Sequence, residues 1–272
     1  MPDIQELHDM TSSLLELQGV NIDRNNERLI SDINFHLNPG ERVTLLGANG
    51  TGKSTFLDAL VGLHPLSGGD YTAFGKTLNN KSDFHQIRSK IGLVFQDSDD
   101  QLFCPSVIED VAFGPINLGH SPRHARAIAL DTLNKLGLGE LSERITYKLS
   151  GGEKRLVSIA TVLAMDPDII LLDEPTTGLD ESARQRLIKC LAELSQALVF
   201  TSHDQDLIDQ LATRAVLIKN GSFVNSILHQ HPHVHVHSHK HVHSDDDLTH
   251  TPPSDPEHSS HYHPGDANRQ KS

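Results

Sequence analysis

The sequence predicts an α/β fold with a mainly parallel sheet and a helical insertion at about residues 97–165. Short apolar runs, of the kind found in strands covered on both faces, lie at residues 169–172, 197–200 and 215–218. Another apolar run leads through a glycine-rich loop into a helical pattern, which is the alternation expected of an α/β chain. Two segments with helical periodicity, residues 123–136 and 151–165, belong to the insertion.

The remaining elements follow from the same periodicities and from the turn residues between them. Strands are predicted at residues 14–17, 33–37, 42–46 and 91–95, and a helix is predicted at residues 54–63. The last helix of the insertion is expected to close at Asp166 and Pro167, because proline cannot continue a helix.

The chain divides by composition near residue 228. Its 272 residues are enough to bury a sizeable core in one large domain. From His229 onward the chain carries 12 of its 19 histidines and has no apolar stretch that could offset the entropy of ordering a backbone. We therefore predict an ordered domain at residues 1–228 and a His-rich, disordered tail at residues 229–272.

Bulk properties argue against several classes of function. The net charge of −13 disfavours binding to the negatively charged backbone of a nucleic acid, so nucleic acid is not an expected partner. Cys104 and Cys190 lie far apart without a Cys-x-x-Cys pair, which favours reduced structural cysteines in the cytoplasm. No secretory signal is expected at the start, and no run of 18 apolar residues could span a membrane.

A phosphate-binding loop is predicted at residues 47–54, which read Gly-Ala-Asn-Gly-Thr-Gly-Lys-Ser between a strand and a helix. The glycines let consecutive backbone N–H groups turn toward phosphate oxygens at the positive end of the following helix. We expect the Lys53 ammonium to lie between the β- and γ-phosphates, and the Ser54 hydroxyl to ligate Mg²⁺.

Polar side chains with the chemistry of phosphoryl transfer follow the other predicted strands. Asp173 and Glu174 come directly after a buried run, so we expect Asp173 to orient Mg²⁺ and Glu174 to act as general base toward water. Gln96 follows residues 91–95, where its neutral amide can meet Mg²⁺ and the water. His203 follows residues 197–200 and can hold the γ-phosphate through its imidazole N–H.

Residues 149–153 read Leu-Ser-Gly-Gly-Glu and stand between the phosphate loop and the Asp-Glu pair; together these motifs resemble the nucleotide-binding subunit of ABC transporters. The resemblance covers residues 14–223, about three quarters of the chain. It implies a P-loop NTPase core with a mainly parallel sheet, an antiparallel β part and an inserted helical subdomain. It also implies hydrolysis of ATP with Mg²⁺, with Gln96 as the Q-loop residue and His203 as the switch histidine.

For assembly, the resemblance implies a head-to-tail dimer, formed with a second copy or with a sister ATPase. ATP lies on the Walker A residues of one subunit, namely Gly47, Ala48, Asn49, Gly50, Thr51, Gly52, Lys53, Ser54 and Thr55. It is closed over by the signature residues of the other subunit, Ser150, Gly151, Gly152 and Glu153. A serine and paired glycines opening a helix form a second set of N–H groups for the γ-phosphate. Asp180 ends the D-loop at residues 177–180.

Three positions depart from the family pattern. Arg24 stands where an aromatic ring commonly stacks on adenine; its planar guanidinium could stack instead, or it could be a surface charge in the turn at residues 23–28. Glu153 replaces the more usual Gln, and Leu156 stands where an Arg is common. Neither change removes a phosphate-facing N–H group, so we expect activity to survive.

Residues 94–103 and 107–115 look like the energy-coupling-factor group, whose ATPases power uptake of vitamins or of cobalt and nickel. In that group a pair of ATPases drives a transmembrane coupling protein and a substrate-capturing membrane protein. The resemblance thus implies a peripheral subunit on the cytoplasmic face of the membrane, which docks the cytoplasmic helices of its membrane partner on this stretch.

The tail contains histidines in strict alternation, at His231, His233, His235, His237, His239, His241 and His243. In an extended chain they lie on one face about 6.6 Å apart. Neutral imidazole suits Ni²⁺, Co²⁺, Zn²⁺ and Cu²⁺, so the tail points to a transition metal without naming it. Other interpretations stay open: a solvated tail without function, a pH-responsive charge switch, or an engineered tag.

Together these features predict the ATPase subunit of a nickel or cobalt importer, with the His-rich tail buffering or sensing the ion. An importer of zinc or of a vitamin is the alternative within the class. Two other classes stay open: a metal-storage or metallochaperone protein, and a soluble ABC ATPase outside transport. The latter kind carries a long coiled coil or two cassettes in one chain, and this sequence shows neither.

Overall fold

The computed structural model describes residues 13–226. Within this range the strands are β1 Leu15–Arg24, β2 Glu27–Leu37, β3 Arg42–Leu46, β4 Leu66–Ser67, β5 Asp70–Ala73, β6 Lys76–Thr77, β7 Ile91–Val94, β8 Ile169–Asp173, β9 Ala197–Thr201, β10 Arg214–Lys219 and β11 Ser222–Ser226. The α-helices are α1 Lys53–Leu60, α2 Lys81–Ile87, α3 Val107–Asn117, α4 Pro122–Lys135, α5 Gly151–Leu163, α6 Glu181–Glu193 and α7 Gln205–Leu211.

The larger sheet has the strand order β11-β10-β3-β9-β8-β7. Strands β10, β3, β9, β8 and β7 run parallel, and β11 pairs antiparallel with β10 at one edge. In β8, Ile169 and Leu171 pack into one apolar cluster while Ile170 and Leu172 pack into the other, and all four are fully buried. Because both faces of the sheet are covered, the strand reads as a continuous apolar run. The prediction of a mainly parallel sheet is confirmed.

The smaller sheet is antiparallel and has the order β2-β1-β5-β6, with β4 paired to β1. Its apolar side chains join those of α1 and one face of the larger sheet in a single core cluster. The rings of Phe35, Phe56 and Phe223 meet edge to face there, with centroids 4.9–6.3 Å apart. This sheet is the antiparallel β part that the resemblance implied.

The inserted helical subdomain comprises α3, α4 and α5, which lie between β7 and β8 and pack over the other face of the larger sheet. Asp110 of α3 is buried and accepts hydrogen bonds from the backbone N–H groups of Phe103 and Cys104 at 3.0 and 2.8 Å. Its second carboxylate oxygen accepts a hydrogen bond from the hydroxyl of Thr146 at 2.9 Å. This bond connects the start of the subdomain to the turn before α5. The predicted insertion is confirmed.

Both cysteines of the described chain are free thiols. Burial and the neighbouring Asp110 carboxylate raise the pKa of the Cys104 thiol to about 11, and burial also raises the pKa of Cys190. These thiols therefore stay protonated at neutral pH. No helix within residues 13–226 combines the length and apolar character needed to cross a membrane.

Helix α5 lies close to β7, and a glycine makes this approach achievable. A Cβ atom added to Gly92 would lie 2.3 Å from Cγ1 of Val162 and 3.2 Å from Cγ of Pro167. The backbone of Gly92 is not in the left-handed region, so the requirement for glycine is one of space. This contact sets how closely the signature helix approaches the strand that leads to Gln96.

We expect Gly92→Ala to lower the free energy of unfolding by about 1–3 kcal/mol, because the methyl group overpacks the contact with Val162. Urea denaturation would measure the loss. In the double variant Gly92→Ala/Val162→Ala, the smaller side chain at position 162 makes room for the added methyl group. The loss of unfolding free energy in the double variant should therefore be smaller than the sum of the losses in the two single variants. Additive losses would contradict this account of the contact.

Candidate nucleotide-binding site

The loop between β3 and α1 contains two glycines, Gly47 and Gly52, at which any side chain would be strained. Gly47 has a φ of 146°, and a Cβ there would lie 2.8 Å from the carbonyl oxygen of Ile218. Gly52 has a φ of 101°, and its Cβ would lie 2.9 Å from Cδ1 of Ile30. Both conformations lie where side chains are strained. The loop therefore closes tightly against the two sheets at the start of α1.

Lys53, the first residue of α1, holds its ammonium inside this loop. Its Nζ donates to the carbonyl oxygens of Gly47 at 2.7 Å and Ala48 at 3.2 Å, and the residue is 8% exposed. The Ala48 carbonyl also accepts the hydroxyl of Thr51 at 2.9 Å, which braces the loop. A lysine ammonium has three N–H donors, so one remains for a phosphate oxygen.

A cavity of about 560 Å³ opens in front of the loop. It is lined by Arg24, Asn49, Gly50, Gly52, Lys53, Ser54, Thr55, Asp58, His64, Gln96, Asp173 and Glu174. The volume lies within the range of small-molecule sites. Predicted site residues from four separate stretches of sequence thus line one cavity, and Arg24 is among them.

The oxygen donors of this cavity fit Mg²⁺. Ser54, Gln96 and Asp173 supply hydroxyl, amide and carboxylate oxygens, which are the ligand types that this hard cation takes. Asp58, one helical turn after Ser54, lines the same cavity; burial and the charge of Asp173 raise its pKa. A divalent cation would offset the repulsion between these two carboxylates. Asp58 was missed by the sequence analysis, although its spacing from Ser54 in a predicted helix points to it.

Thr201 at the end of β9 joins the two acidic residues and was also missed. Its hydroxyl donates to Oδ1 of Asp173 at 2.6 Å and accepts the backbone N–H of Glu174 at 3.0 Å. Thr201 is fully buried and Asp173 is 6% exposed, so the hydrogen bond is shielded from water. The hydroxyl therefore orients the carboxylate of Asp173 and the backbone of Glu174 together.

Glu174 and His203 face each other across the ends of β8 and β9. An oxygen of Glu174 lies 3.5 Å from Nε2 of His203, and the other accepts the backbone N–H of His203 at 3.3 Å. Glu174 has a φ of 49°, an unusual backbone conformation for a glutamate that is costly to hold. Glu174 lines the cavity, whereas the exposed His203 is not among its lining residues. The pair places an imidazole beside a carboxylate, an arrangement that suits a base and a phosphate ligand.

The signature residues begin α5 through a reciprocal cap. The backbone N–H of Ser150 donates to Glu153 at 2.8 Å, and the backbone N–H of Glu153 donates to the Ser150 hydroxyl oxygen at 3.3 Å. The bond from the Ser150 backbone, together with the Ser150 hydroxyl and Arg144, lowers the pKa of Glu153. Glutamate thus serves well as the cap where the family usually has Gln.

The signature residues line a second cavity of about 520 Å³ together with Asp180 and Gly178. Lys53 does not line that cavity; of the signature residues only Gly151 also lines the adjoining cavity that contains Ser54. Asp180 caps α6 by accepting the backbone N–H of Ala183 at 2.8 Å. Within the described residues, Ser150 and Lys53 therefore line different cavities.

The remaining positions concern metals other than Mg²⁺ and the departures from the pattern. The predicted tail ligands from His231 to His243 lie outside the described residues. Within residues 13–226 no cluster of three or more His, Cys, Asp or Glu side chains is arranged to hold a metal ion.

Leu156 is buried in the helical core. The preceding Arg155, which the sequence analysis did not single out, contacts the backbone near both Gln96 and Glu174.

Residues 30–177 match the sequence profile of the family described as ABC transporter. A protein of Brucella suis biovar 1 (strain 1330), provisionally named an ABC transporter ATP-binding protein, is 48% identical over 80% of this chain and 91% of its own length. The energy-coupling factor transporter ATP-binding protein EcfA of Methanothermobacter thermautotrophicus is 42% identical over 71% of this chain and 63% of its own length.

Two solved structures are similar to the fold. The cbiO1 protein of Clostridium perfringens, described as part of the ABC transporter complex cbiONQ, has a TM-score of 0.69 at 32% identity and covers 78% of this chain and 87% of its own. The ATP-binding cassette MJ0796, in a dimeric post-hydrolysis state bound to ADP and Pi, has a TM-score of 0.73 at 26% identity and covers 80% of this chain and 100% of its own.

The hydroxyl of Thr201 can be tested against a matched threonine. We expect Thr201→Val to lower kcat for ATP hydrolysis at least about tenfold and the free energy of unfolding by about 1–3 kcal/mol, because Asp173 loses a buried donor. The control is Thr44→Val on the adjacent strand β3, since the Thr44 hydroxyl is buried and has no hydrogen-bond partner among residues 13–226. It should be neutral or stabilising. Equal effects of the two substitutions would contradict the role of Thr201.

Proposed function

This chain belongs to the ABC transporter family as an ATP-binding subunit that hydrolyses ATP, and we propose that it drives a membrane importer of nickel or cobalt ions. The observation that carries the ATP-driven part of the proposal is the cavity that joins the phosphate loop to Gln96, Asp173 and Glu174. The energy-coupling-factor character of the relative EcfA and the cbiONQ complex of cbiO1 support the importer class.

The proposed chemistry is transfer of the γ-phosphoryl group of ATP to water. Lys53 and the N–H groups of residues 47–52 hold the phosphates at the positive end of α1. Ser54, Gln96 and Asp173 would hold Mg²⁺, which neutralises charge on the phosphate oxygens. Glu174 takes the proton of the attacking water, and His203 donates an N–H to the γ-phosphate.

The proposed active form is a dimer. Ser150 and Lys53 line different cavities of the described chain, which supports a site completed by a second subunit. A second ATPase subunit placed head to tail, either a copy or a sister chain, would bring its own Ser150, Gly151 and Gly152 to the phosphates. The dimeric state of MJ0796 supports this arrangement.

The proposed membrane contact lies beside the Q-loop. The rings of Phe103 and Phe113 meet edge to face with centroids 4.8 Å apart. Phe103 is 66% exposed and Phe113 is 43% exposed. Exposed aromatic residues that pack on each other commonly mark an interaction site. We propose that they receive cytoplasmic helices of a transmembrane coupling protein, which works with a substrate-capturing membrane subunit. The chain then lies peripherally on the cytoplasmic face.

The proposed cargo rests on the alternating histidines of residues 231–243, whose imidazoles suit Ni²⁺ and Co²⁺. Zinc suits the same ligands, and the energy-coupling-factor resemblance alone also allows a vitamin. A metal-storage role would use these histidines without coupling metal to ATP hydrolysis. The cavity that surrounds Lys53 with catalytic side chains favours the transport-coupled role over storage.

We expect Glu174→Gln to lower ATP turnover by about 10²–10⁴-fold while ATP-dependent dimerisation is retained, because the amide cannot accept the proton of water. Phosphate release and light scattering after size-exclusion chromatography would measure the two properties. Glu193→Gln, an exposed position on α6, is the matched control and should keep wild-type turnover. Unchanged hydrolysis in the Glu174 variant would contradict the assignment of the base.

Reconstitution with the two membrane subunits in vesicles tests the cargo. Radioactive nickel or cobalt should accumulate with ATP and fail to accumulate with the Glu174→Gln chain. A full-length chain with the seven alternating histidines changed to Asn would show whether the tail affects the metal concentration needed. Metal binding without ATP-dependent uptake would favour storage, and ATP-dependent uptake of only zinc or a vitamin would refute the proposed cargo.

A further inference from the structure

Arg155 lies inside the protein at the junction of two catalytic loops. It is 3% exposed, although an unpaired arginine is almost never buried so deeply. One terminal nitrogen donates to the carbonyl oxygens of Phe95 and of Gln96, the latter at 3.0 Å. The other donates to the carbonyl oxygens of Asp173 and of Glu174, the latter at 2.6 Å.

The guanidinium is fully used by these contacts. Nε donates to the carbonyl oxygen of Pro175 at 3.3 Å, so five N–H donors meet five backbone carbonyls. Neither Gln96 nor Glu174 has its side chain engaged by Arg155, and both side chains stay available to the cavity. The contacts therefore fix the backbone positions from which the side chains of Gln96 and Glu174 extend, as expected of a positioning residue.

The helix that carries Arg155 also holds the Q-loop at two other points. Lys154 forms an ion pair with Asp99 at 2.5 Å. The Gln101 side chain donates to the carbonyl oxygen of Ser158 at 2.7 Å and accepts the backbone N–H of Phe95 at 3.2 Å. The segment of residues 95–101 is thus attached to successive turns of α5, whose first residues belong to the signature.

We propose that Arg155 is a positioning residue for ATP hydrolysis. Its guanidinium holds the loop of Gln96 and the loop of Glu174 in register with each other and with the helix that begins at the signature Ser150. The proposal rests on the proposed function in one respect, namely that Gln96 and Glu174 act on the attacking water. Arg155 itself touches neither nucleotide nor water in this role.

Arginine suits this position better than lysine for a geometric reason. The five donors of a guanidinium lie in one plane and can meet carbonyls of two loops at once, whereas a lysine ammonium presents three donors from one atom. Burial lowers the pKa of Arg155, and the charges of Asp173 and Glu174 oppose that effect, so the side chain remains cationic. A lysine would keep the charge and lose the span between the loops.

The test compares full-length Arg155→Lys and Arg155→Gln with the wild-type chain. We expect kcat for ATP hydrolysis to fall by about 10–100-fold in both variants, because a small displacement of catalytic groups is enough for such a loss. The Kd and KM for ATP should change less than about threefold, because the phosphate loop is untouched. Thermal unfolding is recorded for each variant, and kcat is measured well below the transition.

Arg42→Lys is the matched control. Arg42 also donates to backbone carbonyls, those of Ala192 and Leu194 at 3.0 and 2.6 Å, at the opposite end of β3 from the phosphate loop. It should lower the unfolding temperature and leave kcat within about twofold of wild type. Wild-type turnover in the same assay reports on the proposed function, so failure of one proposal is distinguishable from failure of the other.

Three results would overturn the assignment. Wild-type kcat in folded Arg155→Lys would show that the loops keep their places without the guanidinium. Equal losses of kcat and of ATP affinity would place the defect in nucleotide binding. Loss of folded protein in both variants would make Arg155 a residue for folding alone.

Discussion

The site depends on one topological constraint: parallel strands end at the same edge of their sheet. The phosphate loop follows β3, Gln96 follows β7, Asp173 and Glu174 close β8, and His203 follows β9. These strands follow one another in the order β3-β9-β8-β7, so the phosphate loop, Gln96, Asp173 and Glu174 meet at one cavity, and His203 stands beside Glu174. The apolar interior of each strand fixes its depth, because a strand covered on both faces cannot slide without exposing a buried side chain.

Helix α5 connects the loops at this edge of the sheet to one another. It packs closely on β7 at Gly92, holds the Q-loop through Lys154 and through the bonds of Gln101, and reaches the end of β8 through Arg155. A rotation of α5 that moves Ser150 must therefore stretch hydrogen bonds to residues 95–96 and 173–175, or carry those loops with it. Buried hydrogen bonds are expensive to break, so the loops are expected to follow.

The sequence predicted what local patterns record and missed what only packing creates. The parallel strands and two helices of the insertion, α4 and α5, were predicted because apolar runs, periodicity and glycine motifs are local, whereas no helix was predicted at α3. Most cavity residues were predicted because they follow strands or belong to a motif. Thr201 and Arg155 were missed because their roles are hydrogen bonds to backbone atoms far away in sequence, which leave no pattern of their own. Asp58 had a local signal in its helical spacing from Ser54.

Departures from the family pattern can be explained by where the structure puts them. Leu156 faces the apolar core of the helical subdomain, where a cation would have to be buried without a partner. One residue earlier, Arg155 is buried yet meets five carbonyls, so it escapes that penalty. The two positions differ by about 100° around the helix, which is enough to turn one toward apolar side chains and the other toward loop carbonyls. The charge of Arg155 on this turn of α5 is therefore placed where backbone oxygens satisfy it, next to the backbone of the two residues proposed to act in hydrolysis, Asp173 and Glu174.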